Sequence, residues 1–236
     1  MSRSFSLPTH LIIILLLLLV GATSHEAHAF DCPEYKEPKI SIEPLYATPN
    51  YDDSVTLRQI SQLGDQPDTS TSKHEIPVGL TTASLTFKTS FEVASNRHML
   101  ESTYCAQISK FTLNFGFDNV RVYLARELPQ NSCGYQLVRT HESRHVAVDR
   151  EIINIYLPQL KELLTNKLRD IGVTRTTSPA MARSRLQDEI SDFIQTLSNK
   201  VAQTREDQQK LIDTPEEYRR LSTECNGQIS RIVSSR

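Results

Sequence analysis

The stretch Cys133–Leu164, CGYQLVRTHESRHVAVDREIINIYLPQLKELL, decides how the chain is read. Leu137, His141, His145, Val148, Ile152 and Tyr156 recur at three- and four-residue steps, and Leu160, Leu163 and Leu164 continue them. That period predicts a long helix with one apolar stripe. Pro158 is expected to bend it, because proline lacks the backbone donor and crowds the carbonyl one turn back. Gly172 fits its end.

Within the stripe lies His141-Glu142-Ser143-Arg144-His145, an H-E-x-x-H pattern. Residues four apart on a helix share a face, so the two imidazoles can point at one metal ion. Glu142 sits about 100° round from His141, at the rim of that face. There it can take a proton from a metal-activated water without ligating the ion. Three specified residue types at this spacing arise by chance roughly 0.01 times in a chain of this length. The expected cofactor is therefore Zn2+, held by His141 and His145, with Glu142 as catalytic base.

Outward from the motif, the preceding third reads as strands. Leu85, Phe87 and Phe91 alternate with mostly polar neighbours, as do Phe111, Leu113, Phe115 and Phe117. Phe117-Asp118-Asn119 reads as a turn, after which Val120, Val122 and Leu124 alternate again. Beyond Gly172 a second helix is expected from about Pro179 to Ile212. A third follows, capped by Asp213 or Thr214, with Pro215 in its first turn and Glu217 placed to reciprocate a Thr214 cap. The fold class is α+β: a small antiparallel or mixed sheet packed on the long HExxH helix and further C-terminal helices.

The amino end reads as an export signal. Arg3 precedes ten unbroken apolar residues, Leu11–Val20, and Ala27-His28-Ala29 offers a cleavage site. Ten residues are too few for a bilayer-spanning helix, which needs roughly 18. Cleavage would leave the 207 residues from Phe30 to Arg236, without a stable membrane span. Residues 30–79 read as an extended, partly flexible lead-in with a strand candidate at Lys39–Ile42, and residues 80–236 as the catalytic domain. His74 and Glu75 fall in a polar loop and receive no role. The location expected is the periplasm or the extracellular space. The 26 basic and 28 acidic side chains nearly balance, which argues against a general nucleic-acid binder.

Four cysteines follow the leader: Cys32, Cys105, Cys133 and Cys225. An even count in an exported chain favours two disulfides over a four-thiolate zinc site, since no C-x-x-C pair occurs. Of the three pairings, Cys105–Cys133 and Cys32–Cys225 are expected.

The motif and its setting resemble the zincin metallopeptidases, whose active-site helix carries H-E-x-x-H after a mixed sheet. From about Tyr104 onward the chain more distantly resembles a family of bacterial secreted proteins classed as zinc-dependent proteases of unknown function. It shares their strands, the turn at Leu128-Pro129, HESRH and a late tyrosine-containing helix. That family's last helix has a tyrosine, then a threonine and a histidine-glycine pair. Here Tyr218 matches, Ser222 stands for the threonine, and Glu224 occupies the histidine's place.

A tetrahedral catalytic zinc needs a third protein ligand. Asp149 lies two turns past His141, about 12 Å along the helix, so it is expected to steady His145 rather than bind metal. The metzincin positions hold Glu151 and Val148, not a histidine and a glycine. A glutamate from another helix, as in thermolysin-like enzymes, leaves Glu224 as the favoured ligand and Glu189 as its rival. Tyr218 is expected to help stabilise an oxyanion.

The resulting expectation is an exported zinc-dependent peptidase acting on a peptide or protein substrate. Its rivals are a non-catalytic, metal-binding or disulfide-stabilised envelope protein and a helical interaction module. For the processed protein, intact mass should show loss of residues 1–29 and of four further hydrogens. Four alkylatable thiols in protein from an oxidising compartment would contradict the disulfides.

Overall fold

The structure, a computed structural model, describes residues 31–64, 77–98 and 102–235. The export signal, His74 and Glu75 lie outside the described residues. The described residues from Cys32 onward form one compact unit. In chain order its elements are β1 (Lys39–Tyr46), β2 (Asn50–Asp52), α1 (Leu57–Gly64), β3 (Gly79–His98), β4 (Thr103–Leu124), α2 (Cys133–Ile171), β5 (Thr174–Thr176), α3 (Pro179–Lys210) and α4 (Pro215–Ser234). The class is α+β, as the periodicities imply.

β4 is the hub of the sheet. β3 pairs with it antiparallel along nearly its whole length, from Gly79↔Leu124 to His98↔Thr103. A strand has two edges, so the short strands share the other one. β5 lies antiparallel at Tyr104–Ala106, and β1 and β2 lie parallel at Lys110–Phe117 and Arg121–Tyr123. The sheet is mixed. Residues read as a lead-in thus supply two strands, and Leu57 and Ile60 of α1 are fully buried.

The expected turn at Phe117–Asn119 is instead a bulge inside a single strand. Thr82 faces Arg121 and Ser84 faces Asp118, so β4 carries an extra residue there, with Asn119 at φ 49°. An inserted residue reverses which parity points inward. Phe111, Leu113, Phe115 and Phe117 are buried before the bulge, and Val120, Val122 and Leu124 after it. A change of phase in the alternation is the common signature of a turn and a bulge, and the sequence pattern alone did not separate them.

α2, whose 39 residues span about 58 Å, packs against the unbroken β4. α2 begins at Ser132, whose side chain accepts the Tyr135 N–H, and ends at Gly172, at φ 58°. It passes through Pro158 as one helix. Ile152, Ile153, Leu160 and Leu164 pack in one core with Phe111, Phe115 and Leu113 of β4, and Leu186 and Ile190 of α3 join them.

The same long strand overturns the expected disulfide pairing. Cys105 lies near the start of β4 and Cys133 begins α2 after its far end, so the strand holds them apart. The bridges are Cys32–Cys105 and Cys133–Cys225. The second pins an interruption in α4, where Cys225, Asn226 and Gly227 all have left-handed φ of 55–69°. That conformation costs a residue other than glycine roughly 1 kcal/mol or more.

Peptide mapping without reduction should recover Cys32 joined to Cys105 and Cys133 joined to Cys225. Replacing Cys133 and Cys225 together by alanine should destabilise the protein by about 2–5 kcal/mol, read by denaturant titration. A Cys105–Cys133 peptide would contradict this topology.

Candidate metal centre

His141 and Glu142 sit in the third turn of α2 and His145 in the fourth, and all are nearly inaccessible, at 4%, 4% and 8% exposure. The chain returns to them at the far end of α3. α3 closes at Lys210, and a tight connection, in which Ile212 and Asp213 donate backbone N–H groups to the Gln209 carbonyl, leads to Thr214. Thr214 caps α4 by accepting the Glu217 N–H. Asp213, one residue earlier, is left to point at the histidines.

Three ligand atoms meet there. His141 Nε2 and His145 Nε2 are 3.3 Å apart, and Asp213 Oδ1 lies 3.2 Å from the first and 3.1 Å from the second. Ligands about 2.0–2.1 Å from a tetrahedral zinc stand about 3.3 Å from each other, so this triangle has the dimensions of one tetrahedral face. The group could hold a metal ion.

Each imidazole is held from behind. His141 Nδ1 donates to Glu217 Oε1 at 3.1 Å, and His145 Nδ1 donates to Gln209 Oε1. A carboxylate or amide oxygen can only accept, so both Nδ1 atoms carry a proton, which leaves each Nε2 to share a proton with Asp213 or to offer its lone pair to a bound metal. Gln209 Nε2 donates to the His145 carbonyl at 3.2 Å and to Asp149 Oδ1 at 3.1 Å, which fixes the amide's orientation. Arg205 in turn grips Asp149 through Nε at 2.6 Å and Nη2 at 3.2 Å. Asp149 therefore steadies His145 as expected, through Gln209 and not by a direct bond.

Glu142 projects beside the triangle toward β3. Its Oε2 accepts from Thr81 Oγ1 at 2.8 Å. A methyl group on Gly79 would come within 2.6 Å of its Oε1 and 2.7 Å of Val138 Cγ1, so β3 can approach the helix this closely only with glycine there. Burial pushes the Glu142 carboxyl above its ordinary pKa, against the pull of His145, His141 and Thr81. For Asp213 burial also pushes upward, but hydrogen bonds from His141 and His145 outweigh it and hold the carboxyl at about 2. Arg220 leads the groups that hold Glu217 at about 2, with burial opposing and His141 and Arg144 assisting. Burial pulls His145 down, but Asp213 and Glu142 outweigh it and its pKa is raised.

The centre opens on a cleft of about 400 Å3. Tyr218 lines it, with its ring centroid 6.3 Å from that of His141. Glu224 stands apart from the triangle, half exposed and paired with Arg220 at 2.9 Å. Glu189 is exposed and paired with Lys167 at 2.6 Å on another face of α3. The carboxylate that joins the imidazoles is Asp213, expected only as an alternative cap of the last helix, and neither Glu224 nor Glu189 reaches them. Glu217 was read as a capping-box partner, yet the Thr214 N–H bonds the Ile212 carbonyl and leaves the glutamate for His141. Glu217 lies one residue before the tyrosine singled out by resemblance, which was the available signal. Gln209 and Thr81 carried none.

Comparison of the chain with family models, curated proteins and solved structures found no match in any of the three.

The depressed Asp213 pKa has a measurable consequence in metal-free protein. A carboxyl lowered from 3.8 to about 2 contributes stability that is fully present above the higher value and lost as pH falls through the lower. The stability advantage of the parent over Asp213→Asn should therefore shrink between about pH 5 and pH 2 in urea titrations. A pH-independent difference would contradict the His–Asp interaction.

Proposed function

We propose that the chain is an exported zinc-dependent peptidase, with His141, His145 and Asp213 as the metal's protein ligands and Glu142 as general base. The observation that carries this reading is the triangle of two Nε2 atoms and one Oδ1, opening on a cleft beside a buried carboxylate. Two imidazoles and a carboxylate are a donor set that suits zinc. A structural zinc site is closed by four protein ligands, whereas three meet here among the described residues, which favours a catalytic site.

A zinc ion bound there supplies Lewis acidity, acidifying water and polarising a substrate carbonyl. The chain's own residues do the rest. Glu142, kept dry and oriented by Thr81, takes a proton from the attacking water and returns it to the leaving amine. Its raised pKa suits a group that must hold that proton between the two steps. Glu217 and Gln209 keep both imidazoles in the tautomer that presents Nε2. Tyr218, on the cleft wall, is the candidate donor to the developing oxyanion.

The substrate is a peptide in extended form. β3 pairs only with β4 among the described residues, so its other edge at Gly79–Thr81, along the cleft, offers backbone groups to a strand-like ligand. Two disulfides fit an oxidising compartment, the periplasm or the extracellular space. No helix among the described residues is long and apolar enough to cross a membrane.

Glu142→Gln should retain bound zinc and lose peptide hydrolysis by about 10^2- to 10^4-fold. Asp213→Ala should lose most of the zinc, while Glu224→Ala and Glu189→Ala should bind it as the parent does. Zinc titration and a fluorogenic peptide assay read both. Parental turnover in the Glu142 variant would remove the base assignment, and unchanged zinc affinity in the Asp213 variant would remove the ligand.

A further inference from the structure

We infer that the cleft selects a substrate with a large apolar side chain next to the bond cut, received by a pocket of Val138, Leu221, Ile229 and Val233. This rests on the peptidase reading and adds the substrate class to it.

The pocket exists because α4 folds back on itself. In a straight helix Ser222 and Ser230 would stand about 12 Å apart along the axis. Here Ser230 Oγ donates to the Ser222 carbonyl at 2.7 Å, and Arg231 donates to the Asn226 carbonyl. The left-handed residues Cys225, Asn226 and Gly227 make that reversal. It lays Ile229 and Val233 beside Leu221, against Val138 of α2 one turn before Glu142. Two links to the start of α2 hold the fold-back in place. The Cys133–Cys225 bridge is one, and the other is the Gly134 N–H donated to Gln228 Oε1 at 2.9 Å.

The polar groups on the wall are already committed. The charged lining residues are Glu142, Asp213, Arg205 and Arg219. The first two belong to the centre, Arg205 is held by Asp149, and Arg219 Nη2 is bonded to Glu216 at 3.0 Å. Thr81 bonds Glu142, Gln209 bonds His145, and Ser230 bonds the Ser222 carbonyl. Against Val138, Leu221, Ile229 and Val233 an incoming lysine or glutamate would leave water without a partner, whereas an aliphatic or aromatic side chain gains from the same burial. The cleft's size, about 400 Å3, falls in the range of pockets that enclose a small ligand.

The test uses zinc-loaded protein titrated calorimetrically with peptide hydroxamates that differ only in the side chain beside the hydroxamate: Gly, Leu, Phe, Lys or Glu. Leu and Phe should bind about 10- to 100-fold tighter than Gly, and Lys and Glu no tighter than Gly. Val233→Lys, at a half-buried position near the chain end, should erase the Leu advantage and favour Glu. Equal affinities across the parent series, preference for a charged side chain, or no hydroxamate binding would each overturn the inference, whether or not the variant folds. Cleavage of peptides with the same side chains separates the two readings. Leu-selective binding without turnover keeps the pocket and removes the peptidase. Turnover indifferent to the side chain keeps the peptidase and removes the pocket.

Discussion

Gln209 is the last buried residue of α3, and both ends of its amide are committed to the motif helix. Its oxygen accepts from His145 Nδ1, and its nitrogen donates to the His145 carbonyl and to Asp149. A buried amide left unpaired costs about 1–3 kcal/mol, so these bonds fix where α3 must end on α2. Asp213 follows four residues later, on a connection tightened by two bonds to the Gln209 carbonyl. The carboxylate thus reaches the imidazoles because the amide has anchored the turn that carries it. Arg205, one turn before Gln209, grips Asp149 and holds the same junction from behind.

Charge at the centre is arranged in two layers. Behind the imidazoles, Glu217 is matched by Arg144 and Arg220, and Asp149 by Arg205. In front, Asp213 and Glu142 face His141 and His145 with no arginine or lysine among the described residues bonded to either carboxylate. When both histidines are neutral and both acids ionised, that layer carries two negative charges. A divalent cation held there would neutralise it. The outer layer keeps the histidines in place, and in the proposed site the inner layer would supply the ligands and the base.

Much of this was legible along the chain, for reasons that lie in the residues. His141, Glu142 and His145 are adjacent on one helix, so spacing alone places them together, and the apolar stripe of α2 identifies the helix. The three C-terminal helices announce themselves by period, by Gly172, and by Ser178-Pro179 and Thr214-Pro215 at their starts. Asp213 was hidden because an acid beside a helix start has a sufficient local explanation as a cap. Only the register of α3 on α2, set by a glutamine of no motif, shows that Thr214 takes the cap and frees the aspartate. The disulfide pairing failed for a different reason. A turn read at Phe117–Asn119 would have brought Cys105 back toward Cys133, and the bulge that stands there keeps β4 running and the cysteines apart.

The most direct test of the account is X-ray absorption at the zinc edge of the metal-loaded protein and its Asp213→Ala variant. The parent should show only nitrogen and oxygen neighbours at about 2.0–2.1 Å, with the outer scattering of two imidazoles and no sulfur near 2.3 Å. The variant, loaded at high zinc, should keep both imidazoles and lose the carboxylate signal. A sulfur neighbour, fewer than two imidazoles, or an unchanged spectrum in the variant would contradict a centre built from His141, His145 and Asp213.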